Sequence, residues 1–389
     1  MKTKRQRFYL SKSASVLEHQ EAFYITTIGR SYKINRTIAT FLRLLAEPRT
    51  AKELVTDVQH LTAAPDPAAI RAVVDKFLRD MYRLEIVRRE GDVDVATLHQ
   101  HYQAGDLVGR YRIGALLSLD DQFVQVYKAT NCETDQPVVL KMFSHRPEAV
   151  TDSKTLAKGL RQFQQEFELM GSLPPHPNVC ALHSYHPEPY PHAVLEYLRG
   201  CTVSQGLTQN LFREADKPQL VAQMLRGLAH VHAHGIIHGD IHPRNFMVDG
   251  ERVCLIDFGF AHRRGVTEEH QVINRGGAAC YLPPERVNQH HYKFSKRAAD
   301  FRSEVYQVGL VIYKLCYGQV PFEGGTWLEL AASITSHNFG QRLSAAVPHE
   351  RVLLRALHQN PAERYSDAAE LLTAWQQATE QPVATAPVG

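Results

Sequence analysis

The segment HGDIHPRN, residues 238–245, carries an aspartate and an asparagine five residues apart, and LIDFG follows with a second aspartate. A carboxylate such as Asp240 can orient a hydroxyl group and accept its proton. The side-chain oxygens of Asn245 and Asp257 are suitable ligands for Mg²⁺, which is a hard cation. A base, a metal site and a hydroxyl acceptor together indicate transfer of a phosphoryl group.

Two upstream residues have the chemistry to hold nucleotide phosphates. Lys141 lies in the strand pattern PVVLKMF, and Glu166 lies in the helical pattern KTLAKGLRQFQQEFELMGSL. A lysine on a strand and a glutamate on a packed helix can form the ion pair that positions ATP phosphates. The apolar strand HAVLEYLRG then runs into a turn, where the backbone from Glu196 to Leu198 can bind adenine.

Residues 107–378 resemble the eukaryotic-type Ser/Thr protein kinase superfamily. PPE at 283–285 stands where such kinases carry APE, and DFRSEVYQVGLVIYKLCYGQVPF matches their long central helix. NPAERYSDAAELL supplies Arg364, which the resemblance pairs with Glu285. The resemblance implies a bilobal domain that uses ATP and Mg²⁺, with Lys141, Glu166 and Asp240 as catalytic residues.

The phosphate loop departs from this family. It reads SLDDQFVQV and has no glycine where the family usually has GxGxxG. Asp120 and Asp121 would place negative charge near the phosphates, which weakens nucleotide binding unless both side chains point to solvent. Ser118 and Val126, at the two ends of this segment, are expected to contact the nucleotide.

Three further departures lie near the acceptor site. Gly239 replaces the arginine that usually receives an activating phosphate, which predicts an enzyme without that switch. His242 replaces a lysine and Ala278 replaces a threonine, which together predict a rebuilt acceptor site. For His242 two roles remain open, donation to the transferring phosphoryl group or a structural hydrogen bond.

The first ninety residues predict short strands followed by three helices, a winged-helix arrangement. SVLEHQEAFYITTIGRSYKIN has strand character, Asn35 can cap the helix RTIATFLRLLA, and Thr50 can cap AKELVTDVQHL. EIVRRE is a possible closing strand. The third helix is expected to bury one stripe of apolar residues, namely Ile70, Val73, Val74, Phe77, Leu78 and Met81.

This region is similar to the PqqD-like peptide-recognition element of ribosomal peptide pathways. YKINRTIATFLRLL, PRTAKELV and VVDKFLRDMYRLEIV carry the resemblance. It implies that a leader peptide adds as a strand along a sheet edge, beside the third helix. The residues expected to bind the leader are Phe23, Tyr24, Ile25 and Thr26 at the edge, and Lys76, Arg79 and Arg83 on the helix.

The charge distribution agrees with an acidic partner. The net charge of +3 hides a basic first region, since residues 1–90 hold 17 Lys and Arg against 10 Asp and Glu. An acidic peptide, a nucleic acid or no partner at all would each suit a basic face. Asp75 and Asp80 on the third helix weaken phosphate contact, so we expect no nucleic-acid partner.

Composition limits the location and the domain count. No stretch of about 18 uncharged apolar residues predicts a membrane span, and the basic N-terminus lacks the apolar core of a secretion signal. Six scattered cysteines without a CxxC pair suit the cytoplasm. The predicted α+β architecture has the following parts: a peptide-binding domain at 1–92, a linker at 93–110, kinase lobes at 111–198 and 199–378, and a disordered tail at 379–389.

The leading hypothesis is an ATP- and Mg²⁺-dependent kinase that phosphorylates Ser or Thr of a precursor peptide, whose leader is held by residues 1–92. The first alternative is a pseudokinase that binds a precursor peptide and scaffolds other maturation enzymes. The second is a small-molecule kinase, because aminoglycoside phosphotransferases share the HGDxHxxN pattern. No lyase region is visible, so elimination of the phosphate would need another protein.

Overall fold

The structure is a computed structural model of the 389-residue chain. It describes residues 6–11, 15–19, 22–27, 30–62, 66–83, 86–89, 102–118, 123–144, 153–187, 191–265, 279–287, 300–324 and 326–380. The chain divides into two compact units. The first is residues 1–162 with 185–194, and the second is residues 163–184 with 195–389.

The N-terminal part of the first unit contains both helices and strands. Its two small antiparallel sheets have the orders β5-β1-β6 and β2-β3-β4. In chain order the elements are β1 (Arg7–Leu10), β2 (Ser15–His19), β3 (Ala22–Thr27), β4 (Arg30–Ile34), α1 (Arg36–Leu44), β5 (Arg49–Thr50), α2 (Ala51–Thr62), α3 (Pro67–Arg83) and β6 (Val87–Arg89).

Both expected helix caps are confirmed. The Asn35 side chain accepts a hydrogen bond from the backbone N–H of Ile38 at 2.8 Å. Thr50 and Glu53 form a reciprocal pair, in which each side chain accepts from the other residue's backbone N–H. Such caps satisfy N–H groups that have no partner inside a helix. They fix where α1 and α2 begin.

The buried stripe of α3 is confirmed with one exception. Val73 is 53% exposed, whereas Val74 is fully buried. Residues 73 and 74 lie about 100° apart around a helix, so only one of them can face the centre of this core. The core of this part of the chain combines apolar residues from all three helices and from β3 and β6, with Ile25, Leu42, Leu54, Val74 and Val87 fully enclosed.

The expected peptide-binding edge at Phe23, Tyr24, Ile25 and Thr26 is wrong. These residues belong to β3, which is the central strand and pairs with β2 on one side and β4 on the other. A central strand has no unpaired side to which a further strand can add. The side chains of Phe23 and Ile25 are also buried. Within the described residues, the edges of this sheet are β2 and β4.

A larger sheet of six strands follows, in the order β11-β12-β10-β9-β8-β7. Leu107 and Val108 pair with Arg112 and Tyr111 in this sheet. The expected linker at 93–110 is therefore wrong at residues 107–108, which form a strand. The elements are β7 (Leu107–Val108), β8 (Tyr111–Ser118), β9 (Val124–Asn131), β10 (Pro137–Phe143), α4 (Ser153–Ser172), β11 (Leu182–His186) and β12 (His192–Glu196).

The rest of the second unit is mainly helical. Its strands form a three-stranded sheet, β13-β15-β16, and the pair β14-β17. The elements are β13 (Cys201–Thr202), α5 (Val203–Thr208), α6 (Lys217–Ala233), β14 (Ile236–Ile237), β15 (Phe246–Asp249), β16 (Arg252–Leu255), β17 (His262–Arg263), α7 (Phe301–Tyr317), α8 (Trp327–Ser336), α9 (Pro348–Ala356) and α10 (Ala368–Glu380).

The last helix extends past the expected end of the kinase domain. α10 continues to Glu380, two residues into the segment expected to be a disordered tail, and residues 381–389 lie outside the described residues. Within the described ranges, none of the helices has the length and apolar character needed to cross a membrane.

The expected pair of Arg364 and Glu285 is confirmed. The guanidinium donates to both carboxylate oxygens at 2.9 Å and is 1% exposed. A bidentate pair of this kind is strong when its remaining groups are also bonded. Arg364 donates further to three backbone carbonyls, and Ser303 Oγ donates to Glu285. This network joins the PPE segment to α7 and to the loop before α10.

Candidate active site

The loop that follows β14 brings Asp240 and Asn245 into contact. The Asn245 amide nitrogen donates to the Asp240 backbone carbonyl at 2.8 Å and to its Oδ2 at 3.1 Å. These two bonds use both amide protons, so the amide oxygen of Asn245 faces away from Asp240. The expected base and the expected metal ligand therefore lie side by side.

His242 makes a second contact with the same carboxylate oxygen. Its Nε2 lies 3.2 Å from Asp240 Oδ2, and the backbone N–H of Arg244 donates to its Nδ1 at 3.2 Å. Because Nδ1 accepts, the proton of the neutral ring is on Nε2 and points toward the carboxylate. Asp240 Oδ1 has no hydrogen bond to any residue that the structure describes.

This arrangement favours the structural role among the two that were open for His242. The ring supports the Asp240 carboxylate from one side and holds Oδ2 in place. Asn245 supports it from the other side. Oδ1 is consequently the oxygen that remains for an acceptor hydroxyl.

Replacing His242 by leucine should lower kcat about tenfold, in the lower range of what removing one positioning contact costs, and leave the KM for ATP unchanged. Steady-state kinetics of His242→Leu and His242→Gln, whose amide can still donate, would measure the effect. In an Asp240→Asn background the leucine substitution should have no further effect, because His242 acts through Asp240. A further tenfold loss there would instead indicate direct contact with the phosphoryl group.

Glu304 anchors the catalytic loop, which is the segment 238–245 that carries Asp240 and Asn245. This role was not anticipated from the sequence. It is completely buried on α7 and accepts hydrogen bonds from the backbone N–H groups of Gly239 at 2.7 Å and His238 at 3.1 Å. His232 Nε2 contacts it at 2.9 Å. An acidic residue directly before the apolar run VYQVGLVIY was the available signal, since buried carboxylates require partners.

Gly239 occupies a position that excludes a side chain. Its φ is +84°, and a Cβ there would lie 2.4 Å from the carbonyl oxygen of Phe260. Glycine permits both the left-handed backbone and the close approach. The missing arginine is thus explained by the path of this loop against the segment that follows Asp257.

Asp257 and Glu166 flank the glycine of the DFG segment. A Cβ on Gly259 would lie 3.3 Å from Asp257 Oδ1 and 3.6 Å from Glu166 Oε2. Asp257 has φ +62°, a left-handed conformation that is uncommon for non-glycine residues and that recurs at active sites. The backbone N–H of Ile256 donates to the Asn245 carbonyl, which connects the two segments that carry the expected metal ligands.

The donor set fits Mg²⁺. Asn245 presents an amide oxygen and Asp257 presents a carboxylate, and oxygen ligands suit this cation. Asn245 and Asp257 are the residues that would hold Mg²⁺. When bound, the ion would neutralise negative charge on the nucleotide phosphates.

Three expected nucleotide contacts form a row across the six-stranded sheet. Ser118 on β8 pairs with Val126 on β9, and Val126 pairs with Lys141 on β10. Directly opposed residues point to the same face of a sheet. The opposite face carries the buried cluster that includes Tyr127 and Leu140. The ion pair of Lys141 with Glu166 stays a prediction.

Of the phosphate loop, the structure describes the two ends, which are Ser118 and the residues from Phe123 onward. Asp120 and Asp121 lie outside the described residues, as does Ala278. Phe123, at the end of the loop, stacks on Phe143 with ring centroids 5.7 Å apart. A Cβ on Gly159 of α4 would lie 2.9 Å from the Phe123 ring. The aromatic ring of Phe123 thus fixes the end of the glycine-free phosphate loop against Phe143 and α4.

The segment expected to bind adenine is held by an ion pair. Arg252 donates to both carboxylate oxygens of Glu196, at 2.5 and 2.8 Å, and these bonds lower the pKa of Glu196. The backbone N–H of Glu196 donates to the Ala181 carbonyl, so that N–H is not available to adenine. The carbonyl of Glu196 and the backbone at Leu198 remain as the expected contacts.

The cationic residues expected to meet a leader peptide lie on α3. Lys76 and Arg79 are exposed, and neither head group has an ion pair with a residue in the described ranges. Arg71 of the same helix is instead bonded to Asp75 at 3.0 Å. The side chain of Arg83 lies outside the described residues.

Comparisons with known proteins cover the range of the chain that carries Asp240, Asn245 and Asp257. The protein kinase domain family matches residues 121–381. The serine/threonine-protein kinase pkn3 of Myxococcus xanthus is 29% identical over 287 residues, which cover 69% of this chain and 49% of that protein. PknL of Mycobacterium tuberculosis is 30% identical over 268 residues, covering 62% and 59%. PrkC of Bacillus subtilis is 26% identical over 270 residues, covering 68% and 39%.

The chain spans about 40 to 60% of the length of these relatives. The matched range includes the segment from Lys141 to Arg364 and leaves out residues 1–90. The chain belongs to the protein kinase domain family, whose members are ATP-dependent phosphotransferases.

Proposed function

We propose that this chain is a Ser/Thr kinase that phosphorylates a ribosomally made peptide, whose leader binds the N-terminal domain. The observation that carries the chemistry is the asymmetry of the Asp240 carboxylate. Oδ2 is engaged by Asn245 and His242, whereas Oδ1 has no partner among the described residues. That is the arrangement required to orient one hydroxyl group at one oxygen.

In the proposed reaction, Asp240 Oδ1 accepts a hydrogen bond from the acceptor hydroxyl and takes its proton. The hydroxyl oxygen forms a bond to the γ-phosphorus of ATP, and the bond to the bridging oxygen of ADP breaks. Lys141 contributes positive charge beside the phosphates, and Ser118 and Val126 line the same face of the sheet. Backbone groups near Glu196 and Leu198 bind adenine.

The proposed leader site uses a strand edge and a basic helix. The unpaired edges of the small sheet, β2 and β4, can each accept an extended peptide by β-strand addition. Exposed Lys76 and Arg79 supply positive charge for an acidic leader. Tethering would raise the local concentration of the acceptor residue and compensate for a weak contact at the phosphorylation site.

The proposal includes an intracellular setting and partner enzymes of the same maturation pathway. The six cysteines form no disulfide bond in the part of the chain that the structure describes, which supports a reducing compartment such as the cytoplasm. Phosphate on Ser or Thr is either the final modification or a leaving group. In the second case another maturation enzyme must carry out the elimination.

Labelled ATP and Mg²⁺ incubated with short peptides encoded beside the gene would test the function. We expect label on a Ser or Thr downstream of the leader, lost in Asp240→Ala and Asp257→Ala. No transfer by wild type or variants would support a pseudokinase scaffold. Transfer to a small hydroxylated metabolite, unchanged by deletion of residues 1–90, would support a small-molecule kinase.

Charge reversal on α3 should weaken leader binding. Lys76→Glu with Arg79→Glu should raise the Kd for an acidic leader peptide about tenfold, because two attractive contacts become repulsive. Fluorescence anisotropy measures this, with Lys52→Glu on α2 as the matched exposed control. Equal affinity of all three proteins would remove α3 from the site. Hydrogen exchange on peptide addition identifies whether β2 or β4 becomes protected.

A further inference from the structure

Two cations near the acceptor site have no assigned role. Arg244 lies one residue before Asn245 in the catalytic loop and is exposed. Lys314 lies near the end of α7 and is half-buried. Neither head group has a hydrogen bond or ion pair with any residue in the described ranges.

Both cations act electrostatically on the short segment Ala279–Tyr281. The backbone N–H of Arg244 is bonded to His242, and the ring centroids of His242 and Tyr281 are 6.4 Å apart. Burial raises the pKa of the neighbouring Cys280 thiol, and the positive charges of Lys314 and Arg244 act against that rise. Because charge effects weaken with distance, these contributions indicate that both positive charges act in the neighbourhood of this segment.

Among the residues that the structure describes in this region, the carboxylates already have partners. Glu285, which follows the segment, is fully used by Arg364 and Ser303. Asp240 is engaged by Asn245 and His242 and is needed for the acceptor hydroxyl. Within the described residues, the catalytic loop and α7 therefore present two positive charges without an ionic partner, and Arg244 lies in the loop that carries Asp240.

We propose that Arg244 and Lys314 form a subsite that selects an acidic residue next to the phosphorylated Ser or Thr. This inference rests on the proposed peptide kinase activity and specifies its substrate class. An Asp or Glu side chain in the peptide would supply the missing negative charge and fix the register of the acceptor residue. A lysine or arginine at that peptide position would be repelled.

A peptide library with a fixed central Ser, ATP and Mg²⁺ tests the subsite. Each flanking position would carry Asp, Ala or Lys in turn. We expect wild-type kcat/KM to be about tenfold higher with Asp than with Ala at one or two positions, and lower still with Lys. In Arg244→Glu combined with Lys314→Glu, the preference at those positions should reverse in favour of Lys.

The matched control is Arg351→Glu, an exposed cation of α9 that should keep the wild-type preference. Thermal unfolding verifies that each variant is folded. The single variant Arg244→Glu should at least abolish the preference for an acidic residue. Transfer to peptides without any acidic preference, or a preference that survives both reversals, would overturn the subsite and leave the peptide kinase intact. Transfer to no peptide at all would overturn both.

Discussion

Gly239→Arg should reduce kcat at least about 100-fold and should not create a phosphorylation-dependent enzyme. A left-handed backbone costs a non-glycine residue roughly 1–2 kcal/mol. The larger effect is steric, because the new Cβ would lie 2.4 Å from the Phe260 carbonyl oxygen. The loop must move away from the segment after Asp257, and Asp240, the next residue, would move with it. Phosphoryl transfer rates measured with saturating ATP give the loss.

Two other variants separate the backbone cost from the steric cost. Gly250 has φ +61°, and a Cβ at this residue would have no neighbouring atom within 4 Å, so Gly250→Ala tests the left-handed conformation alone. It should lose about 1 kcal/mol of stability and keep its activity. Gly239→Ala should lose most of its activity. If Gly239→Arg were instead active after phosphorylation of the chain between Asp257 and the PPE segment, the steric account would be wrong.

Glu304→Ala should destabilise the kinase domain by about 3–5 kcal/mol and abolish detectable transfer. The substitution leaves the backbone N–H groups of His238 and Gly239 without their acceptor in a fully buried position. Each unsatisfied donor costs about 1–3 kcal/mol. It also removes the contact with His232 on α6. Denaturant unfolding and transfer assays measure the two effects.

The pH dependence of this stabilisation follows from the ionised carboxylate. Burial alone would raise the pKa of Glu304, but the bonds from His232 and Gly239 outweigh it and the pKa is lowered. A lowered pKa stabilises the folded state above the unfolded pKa of about 4.5, and this contribution is lost as the pH falls through the folded value. The stability difference between wild type and Glu304→Ala should therefore narrow in acid.

Glu304→Gln is the matched control, because it keeps the shape and one acceptor oxygen. Its NH₂ group must face one of the backbone donors, so it should show an intermediate loss of stability and activity. A stability difference between wild type and Glu304→Ala that is below about 1 kcal/mol would show that the catalytic loop does not depend on this carboxylate.

Residues that act through local spacing could be predicted from the sequence. Asp240 and Asn245 are five residues apart, and the bonds between them follow from that spacing. The helix caps Asn35 and Thr50 could be identified because a cap bonds within three residues. Arg364 and Glu285 are far apart in the chain, and only the kinase resemblance paired them.

Features that depend on strand order could not be predicted in the same way. Four short strands precede α1, and their sequence does not state which one is central in its sheet. The binding edge was consequently placed on β3. The hairpin at Leu107 was missed because two residues carry too little pattern to indicate a strand. Glu304 was missed because its partners are backbone groups from a distant loop.

The most direct test of the account compares nucleotide binding with phosphoryl transfer in Asp240→Asn. The amide keeps the size of the side chain but cannot accept the proton of the hydroxyl. Wild type should transfer labelled phosphate from ATP to a Ser or Thr peptide. In the variant we expect transfer to fall on the order of 10³-fold while the Kd for ATP changes less than about twofold. Transfer that persists in the variant would contradict the assignment of Asp240, and absence of transfer by the wild-type protein would contradict the kinase function.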